Sequence, residues 1–165
     1  MKEMNLPAVT AIVVAAGASR RMGFDKLSFR LPDGRSVLQT SCDALAAHPA
    51  VTGLVLVCGG NRTECEAIAA RCTKPCTVVQ GGATRADSVR SGLAAAEGEL
   101  VAIHDAARPF VSEAVITAVL TAAAADCNAR PRIALCRADA AVLPPQPVSA
   151  GAVGSYRRKG KPCHR

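Results

Sequence analysis

Four short apolar runs, separated by segments with helical spacing, constrain this chain more than any other feature of its sequence. Val9–Ala16 (VTAIVVAA) is a β-branched run ending at Gly17, and Leu54–Cys58 (LVLVC), Thr77–Gln80 (TVVQ) and Leu100–His104 (LVAIH) follow it. Apolar character without polar alternation suits strands buried on both faces, as in a parallel sheet. Ser36–Ala47 places Val37, Leu38, Ser41 and Leu45 near helical spacing and is closed by His48-Pro49. Thr63–Cys72 carries Cys65, Ile68, Ala69 and Cys72 on one helical face, and Arg85–Glu97 repeats Ala86, Val89, Leu93 and Ala96 at three- and four-residue steps. Ser112–Asp126 predicts a further helix, with Ser112 as N-cap and Glu113 at its positive end. The alternation predicts an α/β fold, a three-layer Rossmann-like and mainly parallel sheet with right-handed crossovers and helices on both faces. Ligands in such folds sit at the carboxyl ends of the strands. Three suspicious segments begin there: Gly17 after the first strand, Gly81 after the third and Asp105 after the fourth.

At 165 residues the chain has room for one domain of the usual size, roughly 100 to 200 residues. Its net charge of +7 is unevenly placed. Residues 1–127 hold 12 basic and 12 acidic groups, whereas 128–165 hold eight basic groups against Asp139 alone. Five of the ten prolines also fall in that last stretch. The expectation is a nucleotide-binding α/β domain over 1–127 and a basic, Pro-rich tail over 128–165, in which Ile133–Cys136 is a weak strand candidate. Four aromatic residues and no Trp leave little from which to build a base-stacking platform, so nucleic acid is not an expected partner. No run reaches the roughly 18 apolar residues of a membrane span, and the start MKEMNLPAVT lacks a signal-peptide layout, so a cytoplasmic protein is expected. Eight cysteines sit mainly inside periodic segments and read as small buried hydrophobes. Cys58, Cys65, Cys72 and Cys76 contain no C-x-x-C pair and match no common zinc spacing.

Gly17-Ala18-Ser19-Arg20-Arg21-Met22-Gly23, with Lys26 just beyond, is a small-residue loop carrying three cations. Small residues let backbone N–H groups approach an anion, and Arg or Lys neutralises what remains of a phosphate's charge. The loop is neither G-x-G-x-x-G nor G-x-x-x-x-G-K-[ST], which disfavours dinucleotide binding and P-loop hydrolysis. Taken alone it also reads as a solvated basic turn. Asp105 alone reads as a turn aspartate, Ser88 as a helix-surface serine, and His104 as a core or orienting residue. Arg85 and Arg108 read equally well as structural ion-pair partners.

Three motifs together carry a resemblance: Ala15-Ala16-Gly17-x-x-Arg20-Arg21-Met22-Gly23, Gly81-Gly82-Ala83-Thr84-Arg85-Ala86-Asp87-Ser88-Val89, and His104-Asp105-Ala106-Ala107-Arg108-Pro109. Over about residues 8–127 the chain is similar to the 2-C-methyl-D-erythritol 4-phosphate cytidylyltransferases, with a fold of the nucleotide-diphospho-sugar transferase type. The resemblance implies transfer of CMP from CTP to a small phosphorylated polyol, 2-C-methyl-D-erythritol 4-phosphate, with release of pyrophosphate and with Mg²⁺ or another divalent cation. It implies catalytic roles for Arg21 and Lys26, and triphosphate binding by the loop that includes Gly17, Ala18, Ser19 and Arg20. It further implies cytosine recognition by backbone at Ala15, Ala16 and Gly82 with Ser88, places Asp105 and Ala106 toward the ribose and a metal, with Asp105 as the candidate ligand, and counts Gly81, Arg85 and Arg108 among the nucleotide-binding residues. Ala83 stands where an acidic residue is common, and the compact Met22–Leu27 stretch also resembles molybdenum-cofactor nucleotidyltransferases. Family members continue past 200 residues, through an Asp-Thr-x-Lys strand and a dimerisation arm. The expectation is therefore an incomplete sheet, a shortened chain whose last 30 or so residues are not native, and loss of the family's homodimer. The competing readings are a CTP-binding remnant without turnover, another nucleotidyltransferase of the molybdenum-cofactor type and, ranked last, a nucleic-acid binder working through the basic tail.

Overall fold

The computed structural model describes residues 6–17 and 25–125 and, as backbone, residues 132–136. The first strand, β1 (Val9–Ala15), is the middle of a five-stranded sheet whose other members are β2 (Val51–Cys58), β3 (Cys76–Gln80), β4 (Leu100–Asp105) and β5 (Arg132–Cys136). The order is β3-β2-β1-β4-β5 and every pairing is parallel. Four helices connect them: α1 (Val37–Ala47), α2 (Arg62–Arg71), α3 (Arg85–Ala95) and α4 (Glu113–Ala125). Each expected element is present, with ends that coincide or differ by at most three residues, because apolar periodicity marks an element's buried middle better than its frayed ends. The expected α/β sandwich of layers is therefore the fold.

Alternation along β1 divides the core in two, since successive side chains point to opposite faces of a sheet. Ala11, Val13 and Ala15 meet Leu38, Cys42 and Leu45 of α1, Cys65 and Ile68 of α2, and Ile116 and Leu120 of α4. Ile12 and Val14 join Val55, Val57, Val101 and Ile103 under Leu93 of α3. Cys42, Cys58 and Cys65 are buried core residues, as the sequence suggests, and burial pushes the Cys65 thiol up to about 12.

Two features depart from expectation. The α/β unit does not end at residue 127, because β5 pairs with β4 from Leu100↔Arg132 to His104↔Cys136. Crossovers of one hand throughout were expected, but α4 lies on the α1 and α2 face although its connection runs in the same direction across the sheet as that of α3. The β4–α4–β5 unit thus has the opposite hand to β3–α3–β4. On that face Ile116 and Leu120 of α4 join the core cluster that α1 and α2 cover. Residues 137–165 of the expected tail lie outside the described residues. No helix among the described residues is long and apolar enough to cross a membrane.

Candidate active site

The carboxyl ends of β1, β3 and β4 open into one cleft of about 520 Å³, lined by Val14, Ala16, Gly17, Gly82, Ala83, Thr84, Arg85, Ser88 and Asp105. It is the place that strand order alone assigns to a ligand, beside the strand from which the crossovers diverge in both directions. Three of the sequence motifs converge here, separated by roughly 65 and 20 residues along the chain but adjacent in space.

The Gly81-Gly82 turn is held from both sides. Gly81 N–H donates to Cys58 O at 2.7 Å, and a β-carbon on Gly81 would lie 2.4 Å from Ala16 Cβ and 2.9 Å from Ser88 Oγ. A β-carbon on Gly82 would lie 2.3 Å from Asp87 Cβ. Only glycines permit this turn to pack so closely on Ala16 and the start of α3. Ser88 is 3% exposed, not on the helix surface. Its hydroxyl accepts the Gly82 N–H at 3.2 Å and donates to Thr84 O at 3.0 Å. Thr84 caps α3 by accepting the Asp87 N–H, while the Asp87 carboxylate accepts from the Thr84 hydroxyl and backbone. That bond from Thr84, with Arg90 nearby, holds the Asp87 carboxyl below its usual value.

Asp105 ends β4 at the cleft, with a side chain 37% exposed between Arg85 at 3.8 Å and Arg108 at 4.0 Å. Such long, half-solvated pairs hold little energy and leave the carboxylate open to another cation. Asp105 Oδ1 also accepts the Ala107 N–H. His104 is fully buried, and its Nε2 lies 3.0 Å from Arg108 O, which makes it a residue that shapes the Asp105–Arg108 turn.

The structure brings Ala16, Gly17, Gly82, Arg85, Ser88 and Asp105 to the cleft, with Gly81 immediately behind Ala16. It does not bring Ala15 or Ala106 there. Ala15 is 2% exposed within β1. Ala106 is fully buried, its N–H given to Val14 O and its carbonyl accepting the Ser41 hydroxyl at 2.7 Å. Arg108 reaches Asp105 but not the cleft lining, and Lys26 stands exposed on the following segment outside that lining. Ala18, Ser19, Arg20 and Arg21 lie outside the described residues. Sequence reasoning passed over Val14 and Thr84 as cleft residues, whereas Ala83, the position where an acidic residue is common, does line it. The signal for Thr84 was available as Thr84-Arg-Ala-Asp87, the spacing of a capping box.

The family model described as 2-C-methyl-D-erythritol 4-phosphate cytidylyltransferase matches residues 9–140, past residue 127 where the resemblance was expected to stop. A bifunctional enzyme IspD/IspF of Anaeromyxobacter dehalogenans is 48% identical over 119 residues, which cover 72% of this chain and 31% of that protein. A 2-C-methyl-D-erythritol 4-phosphate cytidylyltransferase of Alteromonas mediterranea is 36% identical over 120 residues, covering 72% of this chain and 50% of that one. The crystal structure of 4-diphosphocytidyl-2C-methyl-D-erythritol synthase from Anaerococcus prevotii matches with a TM-score of 0.60 at 28% identity, over 70% of this chain and 50% of that chain. The chain thus spans about a third to a half of the length of these curated relatives.

Proposed function

This chain belongs to the 2-C-methyl-D-erythritol 4-phosphate cytidylyltransferase family, and from that premise we propose that it transfers CMP from CTP to the phosphate of 2-C-methyl-D-erythritol 4-phosphate in the cytoplasm, releasing pyrophosphate. The observation that carries the reading is the convergence of three strand ends on one cleft, which Ala16, Gly17 and Gly82 line with little side chain in the way.

The chemistry asks for positioning and charge compensation and needs no covalent intermediate. The acceptor phosphate oxygen attacks the α-phosphorus of CTP, and the bond from that phosphorus to the pyrophosphate oxygen breaks. In this reading the loop from Gly17 through Ala18, Ser19 and Arg20 wraps the triphosphate, and Arg21 and Lys26 offset the charge that develops during attack. In this reading the backbone of Ala16 and Gly82 reads the cytosine by hydrogen bonds. Ser88 serves that readout by holding Gly82, since its single proton is committed to Thr84 O.

The residues present fit a divalent cation of the Mg²⁺ type. Asp105 offers one carboxylate, open to the cleft and only loosely paired, and no group of three or more His, Cys, Asp or Glu side chains gathers among the described residues. One protein carboxylate beside substrate phosphates is how Mg²⁺ is usually held at nucleotide sites. Bound there, it would neutralise phosphate charge.

The test is pyrophosphate release by the chain with each nucleoside triphosphate, with and without the acceptor, in Mg²⁺. Release is expected only with CTP and 2-C-methyl-D-erythritol 4-phosphate, and Lys26→Ala is expected to lower kcat by roughly a hundredfold. Release with GTP in its place would move the chain to the molybdenum-cofactor type of nucleotidyl transfer. CTP binding without release would reduce it to a nucleotide-binding unit.

A further inference from the structure

The segment that follows the first loop is held more firmly than an exposed turn requires. Leu27 is 6% exposed and packs into the core on the α1 face. Its N–H donates to Asp25 Oδ1 at 3.0 Å, and its carbonyl accepts the Leu38 N–H at 3.1 Å. The Lys26 carbonyl accepts the Phe29 N–H at 3.4 Å, and the Phe29 carbonyl accepts from Val37. These bonds tie the segment to the start of α1. A second tie runs to a different element: Ser28 Oγ lies 2.9 Å from Asp25 Oδ2 and 2.5 Å from Glu64 Oε2. Glu64 stands in the first turn of α2, directly after the carboxyl end of β2.

One hydroxyl carries one proton, and here it faces two carboxylates. The 2.5 Å contact, on the solvent-exposed surface, falls within the length range of a charge-assisted O–H···O⁻ bond. That proton serves one of them at a time, and given to Glu64 at the shorter contact it ties the turn that Asp25 forms through the Leu27 N–H to a helix anchored by Cys65 and Ile68 in the core. Between these two anchored residues, Asp25 and Ser28, stands Lys26. A lysine on a mobile turn would lose most of its effect at a reacting phosphate, because misplacement by about 1 Å can cost on the order of a hundredfold in rate.

We propose that Ser28 and Glu64 are positioning residues for Lys26: the Ser28–Glu64 strut ties the segment bearing Lys26 to the first turn of α2 and so sets where its ammonium group stands on the rim of the sheet. The link to catalysis rests on the cytidylyl-transfer reading, whereas the strut itself does not.

Tryptic cleavage after Lys26 reads the strut directly, because buried Leu27 must open before the bond can be cut. Ser28→Ala and Glu64→Ala are expected to speed cleavage at this bond about tenfold, as judged by mass spectrometry, with the global unfolding midpoint unchanged. They are expected to lower kcat about tenfold while KM for the acceptor stays constant, the pattern of an interaction used in the transition state. Ser28→Thr, which keeps the hydroxyl, is expected to restore both. Unchanged cleavage in both alanine variants overturns the strut, and faster cleavage with unchanged kcat overturns its role toward Lys26. Absence of turnover in the wild-type chain defeats the transfer reading alone; the cleavage rates then still decide for or against the strut.

Discussion

Ser88 and the Gly81-Gly82 turn carry the cleft's shape at the scale of single residues. The Ser88 hydroxyl bridges the turn to the first residue of the α3 cap, so a ligand meeting the Gly82 backbone meets a group already fixed. Ser88→Ala is expected to weaken CTP binding by roughly tenfold and to cost about 1 kcal/mol of stability, since it leaves Gly82 N–H without its buried acceptor. Gly81→Ala tests the same turn from its other side. With its β-carbon 2.4 Å from Ala16 Cβ, the backbone must shift, and CTP affinity measured calorimetrically is expected to fall at least as far as in Ser88→Ala. The sequence motif G-G-A-T-R-A-D-S located all these residues, but it did not reveal that Ser88 turns inward. A helical serine's direction depends on which of its neighbours is buried, and here the turn it contacts comes from outside the helix.

At the scale of elements, α3 is the helix that brings one wall of the cleft to the sheet. It is the helix that covers the Ile12, Val14 face, and it approaches closely because Gly92 faces the strands. A β-carbon at Gly92 would lie 2.6 Å from Ile12 Cγ2 and 3.0 Å from Val57 Cγ2. Gly92→Ala gains roughly 1 kcal/mol of helix propensity but meets an overpacking cost of about 1–3 kcal/mol, so a net loss of about 1 kcal/mol is expected. Urea unfolding with an unchanged m-value measures it, and a stabilised variant would show that the sheet yields at this point. The periodicity of α3 was legible in Ala86, Val89, Leu93 and Ala96, whereas the need for a glycine among them was not. That need comes from β1 and β2, which lie more than thirty residues away in sequence.

Across the whole molecule, His48 joins two helices that the sequence leaves unrelated. It is 3% exposed at the C-cap of α1, and its Nδ1 accepts the Ala50 N–H at 3.2 Å, so Nε2 carries the proton and donates to Thr117 Oγ1 of α4 at 3.0 Å. Burial lowers its pKa below the usual 6.5, against a smaller opposing effect from Glu113. The folded state therefore resists a proton that the unfolded chain accepts. Its contribution to stability is complete above about pH 6.5 and is lost as pH falls through the folded value. The unfolding midpoint is expected to drop between pH 7 and pH 5, with a shallower slope in His48→Gln; equal slopes would exclude His48 as the source. The sequence by itself determined the order of elements, the two apolar faces and the three loops at one rim, because those follow from local periodicity and strand direction. Tertiary structure alone decided that Ala106 is sealed inside by Ser41, that α4 lies beside α1, and that β5 adds to β4 beyond residue 127. Each of these depends on which distant group fills a particular space, and short-range pattern holds no record of that.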